Sequence, residues 1–148
     1  MKKTLLFVLV SAAALLLIMS GCSKKDSGGP SNNMATYAGS YKLTAATVTA
    51  GGVTQDAMNY LFEPCQQDDI LQLKADSSMI LTDAGTTCTP DGSGTGKWYV
   101  SGSYLITIES QQNDTATIKS FNGTALVLTH PDELGGVPIT VTVTMTKQ

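Results

Sequence analysis

The chain contains no arginine. All nine basic residues are lysine, set against twelve acidic residues for a formal net charge of −3. Without guanidinium groups there are no two-pronged phosphate clamps, and a net acidic chain repels polyanions, so no nucleic-acid partner is expected. Histidine occurs once, as His130, which excludes two-histidine catalytic dyads and histidine-cluster metal sites. Charged residues make up only 14%, well below the roughly 25% typical of soluble domains. Glutamate is confined to Glu63, Glu109 and Glu133, with no spacing that specifies an acid–base pair. Asp68-Asp69 and Asp91-x-Ser93-x-Thr95 are rich in oxygen, but neither follows the spacing of a calcium-binding loop closed by glutamate. The three cysteines include no Cys-x-x-Cys pair, which removes the usual redox-active spacing. These scarcities predict a protein that is not an enzyme and has no metal or cofactor. A length of 148 residues leaves room for one modest domain.

The first residues read as a targeting signal. Lys2 and Lys3 precede a run, 5–18, that is apolar except for Ser11. It falls short of the roughly 20 residues a bilayer-spanning helix needs and suits a cleaved signal better. The run ends in Met19-Ser20-Gly21-Cys22, which resembles the lipobox of bacterial lipoproteins, with Met19 where leucine is usual. That resemblance implies cleavage before Cys22, lipidation of Cys22 and a membrane partner reached through the lipid. The expected location is the outer membrane, at its periplasmic face or at the cell surface. Residues 23–33 carry no apolar side chain to anchor them in a core and read as a flexible tether. The resulting organisation is a signal peptide at 1–21, the lipidated cysteine and tether at 22–34, and a folded domain at 35–148.

The folded part reads as short strands separated by turn chemistry. Tyr41, Leu43 and Ala45 alternate with Lys42 and Thr44, the period of a half-buried strand. Met58, Leu61 and Phe62 sit at helical spacing within 56–62, so one short helix is expected there, stopped before Pro64. Further strands are expected at 70–74, 79–82, 97–101, 104–109, 116–121, 125–129 and 139–146. Gly102-Ser103 suits a type II′ hairpin, and Asn122-Gly123 is the strongest short hairpin signal in the chain. Residues 89–96 and 130–136 read as loops. Ile139, Val141, Val143 and Met145 alternate with threonine, which gives the last strand one core face and one wet face. Eight short sequential strands with hairpin connections predict an all-β fold, an eight-stranded up-and-down antiparallel barrel with one short helix. Such closure removes sheet edges and leaves an interior able to hold one small ligand.

The order of motifs carries a family resemblance. Gly39-Ser40-Tyr41 resembles the Gly-x-Trp motif at the first strand of lipocalins, with tyrosine in place of tryptophan. Two cysteines then flank a strand pair, and Gly96-Lys97-Trp98 opens a hairpin leading to Leu105-Ile106-Thr107-Ile108. Over about residues 36–148 this order is similar to the bacterial lipocalin-like domains of small secreted lipoproteins. The resemblance implies a barrel; a fold analogy does not supply a ligand.

Cys65 and Cys88 are the only cysteines of the expected mature domain. In an exported protein they suggest a disulfide joining the outer ends of an antiparallel strand pair. Tyr41, Trp98 and Tyr104 are the candidate ligand-wall residues, because aromatic rings suit either a ligand wall or a barrel plug. The match of Tyr41 to the lipocalin motif favours plugging for that residue, whereas Trp98 adjoins the glycine-rich loop that could shape a barrel mouth. His130 reads as an exposed loop residue, and Asp114-Thr115-Ala116 resembles a bacterial O-glycosylation signal at Thr115. The favoured reading is a membrane-anchored lipoprotein whose barrel binds a small hydrophobic or amphipathic ligand. The rival is a solid barrel acting as an inhibitor of, or docking module for, another protein of the cell envelope.

Overall fold

The computed structural model describes residues 33–148; the expected signal peptide, Cys22 and most of the tether lie outside the described residues. A short helix α1 (Met34–Tyr37) comes first. It is followed by strands β1 (Gly39–Ala50) and β2 (Val53–Asp56), helix α2 (Met58–Leu61), and a 3-10 turn at Pro64–Gln66. Seven strands complete the chain: β3 (Ile70–Leu73), β4 (Ser78–Thr82), β5 (Gly94–Ser101), β6 (Tyr104–Glu109), β7 (Gln112–Phe121), β8 (Ala125–Leu134) and β9 (Val137–Lys147).

The order in the sheet is β2-β1-β3-β4-β5-β6-β7-β8-β9, and β9 pairs back onto β1 along Tyr41–Ala50. Eight antiparallel strands therefore close a barrel, as the hairpin spacing predicts. The ninth, β2, is an addition. On the edge of β1 away from β9, β3 takes Gly39–Lys42 and β2 takes Thr47–Ala50. β1 shifts register between Leu43 and Ala45, a bulge that bends a strand and re-aims its later side chains. Past the bulge, Ala46, Val48 and Ala50 stand opposite Val143, Val141 and Ile139 of β9.

The two ends of the barrel differ. At the end holding the first residues of β1, Tyr37, Tyr41, Leu73, Trp98 and Leu126 are fully buried. Met79, Leu105, Ile118 and Met145 pack with them into one core. The Tyr37 ring lies 5.2 Å from that of Phe121, and the Tyr41 hydroxyl donates to the Tyr37 carbonyl. Gly96 makes this packing possible, because a Cβ there would come within 2.5 Å of the Ile108 carbonyl oxygen. We call this the closed end.

The other end is built by two hairpins unforeseen in their full length. Gly51-Gly52 joins β1 to β2 and Gly135-Gly136 joins β8 to β9, with φ of 55° and 82° in the first pair and 60° and 82° in the second. Two successive positive φ values are what a tight type I′ connection requires, and glycine supplies them without steric cost. The expected loop at 130–136 is thereby corrected. Residues 130–134 continue β8 because they pair in register with Val137–Val141, and only the glycine pair turns. The expected loop at 89–96 likewise ends early, since Gly94–Gly96 join β5 opposite Met79–Leu81. The short helix is confined to Met58–Leu61 because Asp56 closes β2 and its carboxylate accepts from the Met58 N–H (3.3 Å). Gly102 has a φ of 60°, as a type II′ turn at Gly102-Ser103 demands. The Asn122 side chain accepts from the Thr124 and Ala125 N–H groups (3.0 and 2.7 Å), fastening the β7–β8 turn.

Candidate functional site

β7 and β8 pair only between their common turn and Thr117–Thr129. Beyond that point their continuations belong to different hairpins, β6–β7 and β8–β9. Pro131 explains the parting: it has no N–H to give to a neighbouring strand. The Thr115 carbonyl instead meets the His130 ring, Nδ1 at 3.0 Å. His130 is exposed, as the sequence suggests, but it lies on a strand. Thr115 is exposed on β7.

At the end of the barrel away from the plug, a recess of about 400 Å³ opens as a mouth between β1, β2, α2 and the β8–β9 hairpin. Its floor is Val48 and Ala50 of β1 with Ile139 of β9, and its walls include Val53 of β2, Ala57 and Tyr60 at α2, and Leu134 of β8. α2 is held beside β1 by the Ala57 N–H, which donates to the Ala46 carbonyl (2.9 Å). Small residues on β1 leave the space; a row of leucines there would fill it. Tyr60, Val53 and Leu134 are 70%, 61% and 49% exposed, far more than large apolar side chains in a closed core. The single charged group on the wall is the carboxylate of Asp56.

The three aromatic candidates do not meet at this recess. Tyr41 and Trp98 are wholly buried at the closed end. The indole N–H of Trp98 donates to the Lys74 carbonyl (2.8 Å), and burial, followed by the neighbouring Tyr37, pushes the Tyr41 phenol up to about 12. Tyr104 lies at the start of β6, 48% exposed and opposite Thr117. Both buried rings therefore sit where they plug the barrel, and Lys147 lies over the rings of Tyr41 and Phe121 (5.7 and 5.2 Å). Val53 and Leu134 were missed because each flanks a glycine pair. An apolar residue on each side of Gly-Gly is a hairpin signal, and reading it as such would have placed Val53 and Leu134 together at one end.

Charge is unevenly spread along the barrel axis. Among the described residues, Lys74 in the β3–β4 turn and Lys119 and Lys147 in β7 and β9 lie at the closed end, whereas Lys42 and Lys97 stand opposite Ile70 and Ile108, one residue from Asp69 and Glu109. Most acids lie toward the open end, and Asp76 lies at the closed end. Glu63, Asp68 and Asp69 precede β3, Asp83 and Asp91 lie between β4 and β5, Glu109 and Asp114 flank the β6–β7 turn, and Asp132 and Glu133 lie near the tip of β8.

Several of these acids organise the loop between β4 and β5. Asp83 accepts from the N–H groups of Cys88 (2.9 Å) and Gly92 (3.0 Å), and Asp68 from that of Thr86 (3.0 Å). The Cys65–Cys88 disulfide, expected from the sequence, is formed and ties this loop to the turn after α2. Among the described residues, no group of three or more His, Cys, Asp or Glu side chains is arranged to hold a metal ion. Burial raises the Asp69 carboxyl above its ordinary range, and Asp83, Asp68 and Asp91 add to the effect against the Ala84 N–H. The folded state thus holds that proton to higher pH than the unfolded chain, so this group's contribution to stability falls as pH rises through the window above the ordinary carboxylate value. Asp69→Asn keeps the oxygen facing Ala84 and removes the charge. Its expected result is a modestly higher Tm at neutral pH and no gain in acid, where the Asp69 carboxyl is protonated in the folded and unfolded chain alike; thermal melts across pH would show an equal shift everywhere if the charge were irrelevant.

A family model for a lipocalin-like domain matches residues 33–128. A search of curated proteins finds no match. The matched segment runs from the cap of α1 to the last buried leucine of β8, and so includes the plug, the disulfide and one side of the mouth.

Proposed function

The chain belongs to the family of lipocalin-like domains, and from that premise we propose that it binds a small hydrophobic or amphipathic molecule at the open end of its barrel. The observation that carries this reading is the apolar recess of about 400 Å³, a volume within the usual range for small-molecule sites. It adjoins a core that is packed solid at the other end. A ligand seated there would cover Tyr60, Val53 and Leu134, side chains whose exposure has no folding rationale. The reading makes the protein a binder with no chemical step.

The test is titration with an uncharged dye whose emission reports the polarity around it. Saturable binding is expected, weakened on the order of thirtyfold in the Tyr60→Ser, Leu134→Ser double variant, since each side chain would lose apolar contact worth about 1 kcal/mol. Both residues are exposed, so the variant should melt close to the parent. Dye binding that is absent, or indifferent to the double substitution, would sink the reading. Val53, Tyr60, Leu134 and Val137 also form an exposed apolar rim, which supports the second reading, a docking module for another envelope protein. A rim that captures no dye yet is required for a protein complex would favour it.

The same proposal places the barrel on the outer membrane through a lipid on Cys22. Its support is the order of Lys2-Lys3, the apolar run and Gly21-Cys22. In cells fed a fatty-acid probe, the protein should be labelled and sediment with membranes, and Cys22→Ala should be unlabelled. A Cys22→Ala chain that stays labelled and membrane-bound would refute the anchor.

A further inference from the structure

We propose that the ligand taken at the mouth is an amphiphile with a cationic head, an inference that rests on the recess being a ligand site. Three observations converge on it. The only charged group on the recess wall is the Asp56 carboxylate, and the only aromatic ring on that wall is Tyr60. A carboxylate and the face of a phenol ring both attract an organic cation, the first by charge and the second by the ring quadrupole. The remaining wall is formed mainly by the aliphatic side chains of Val48, Ala50, Val53 and Ile139, which suit an apolar tail.

The third observation is the sign of the charge around the mouth. The β8–β9 hairpin brings Asp132 and Glu133 beside Leu134, and the β6–β7 hairpin brings Glu109 and Asp114 to the same end of the barrel. No lysine among the described residues lines the recess. An anionic head, such as the carboxylate of a fatty acid, would approach against this field and find no basic partner at the recess. A cation is drawn toward it, because clefts lined by one sign of charge concentrate ions of the other. The tail supplies affinity and the head supplies selection.

Three probes with a common eight-carbon tail separate the terms: octyltrimethylammonium, octanol and octanoate, titrated into the purified full-length protein by calorimetry at low ionic strength. The expected order is ammonium, then alcohol, then carboxylate, with the ammonium about tenfold tighter than the alcohol. Added salt should narrow the gap by screening the exposed part of the field. Asp56→Asn keeps an oxygen for the Met58 N–H and should lower ammonium affinity by more than it lowers alcohol affinity. If all three probes bind equally, or octanoate binds best, the recess is a ligand site and the cationic head is overturned. If Asp56→Asn weakens ammonium and alcohol alike, the selection is not made by this carboxylate and the proposal fails in that form. If none of the three binds, the ligand-site reading falls, and this inference with it.

Discussion

Replacing Trp98 with alanine is expected to destabilise the barrel by about 3–5 kcal/mol, the usual cost of truncating a large core aromatic. Folded domains are stable by only about 5–15 kcal/mol, so the variant should be largely unfolded in mild denaturant. Trp98 is the largest fully buried side chain, and it does more than fill space. Its backbone N–H donates to the Ser77 carbonyl (3.0 Å) and its indole N–H to the Lys74 carbonyl (2.8 Å). One residue of β5 thus fastens both ends of the β3–β4 turn. That turn needs fastening, since Ser77 is a non-glycine residue held at a φ of 72°, a conformation L side chains adopt at a cost. Asp76 helps from the other side by accepting from the Ser78 N–H and hydroxyl (2.9 and 2.6 Å). Trp98→Phe separates the two roles. It keeps much of the ring but leaves the Lys74 carbonyl with only the Ser77 N–H (3.2 Å) as donor, at about 0.5–1.5 kcal/mol. Urea unfolding followed by far-ultraviolet circular dichroism measures both. A Trp98→Ala protein as stable as the parent would show that the plug is not what holds the closed end.

How far this architecture was legible depended on which physical rule governed each segment. The threonine–aliphatic alternation of 139–146 places β9 because one of its faces is core and the other is wet. Gly102-Ser103 and Asn122-Gly123 mark their turns because few residues can adopt positive φ cheaply. The closure of β9 onto β1 was implied by strand number, since a sheet of eight sequential hairpin strands leaves edges unless it closes. The site was less legible. The sequence offers Tyr41, Trp98 and Tyr104 on the ground that aromatic rings make ligand walls, but burial is set by register. Trp98 and Tyr41 share the inward row of the plugged end, while Tyr104 starts β6 with its side chain exposed. Tyr60 stands on a single helical turn of four residues, too short for any periodic signal to say which way its ring faces. Among the described residues, the gathering of acids around a recess that no lysine lines has no trace in the linear order, because adjacent hairpins interleave the two ends of the barrel along the chain.

Removing the Cys65–Cys88 bridge, by Cys88→Ala, should cost about 2–5 kcal/mol and lower Tm sharply. The argument begins with the segment the bridge holds. Between β2 and β3 the chain carries only α2 and a 3-10 turn of three residues, neither long enough to be stable alone. The β4–β5 connection that Cys88 belongs to has no regular structure before Gly94. Each of the two segments therefore depends on the other for much of its order. The bridge closes a loop with a sequence separation of 23, and restricting the unfolded chain by a loop of that size is worth roughly 3 kcal/mol in the chain-entropy model. The carboxylates of Asp68 and Asp83 then fix the loop by accepting from Thr86, Cys88 and Gly92. The Asp83 bonds lie within the loop, and the single Asp68–Thr86 bond joins the same two segments as the bridge, so these contacts support the bridge and do not replace it. The effect should also reach the mouth, because Cys65 lies just after α2, the helix that carries Tyr60 to the recess. The Cys88→Ala chain is therefore expected to lose dye affinity under conditions where Trp98 fluorescence still reports a folded closed end. Equilibrium unfolding of the oxidised, reduced and Cys88→Ala forms, read by that fluorescence, measures the stability term; dye titration of the same samples measures the second. Equal stability of oxidised and reduced protein would remove the bridge from any structural role. A stability loss with dye affinity intact would show that α2 is held by its contact with β1 alone.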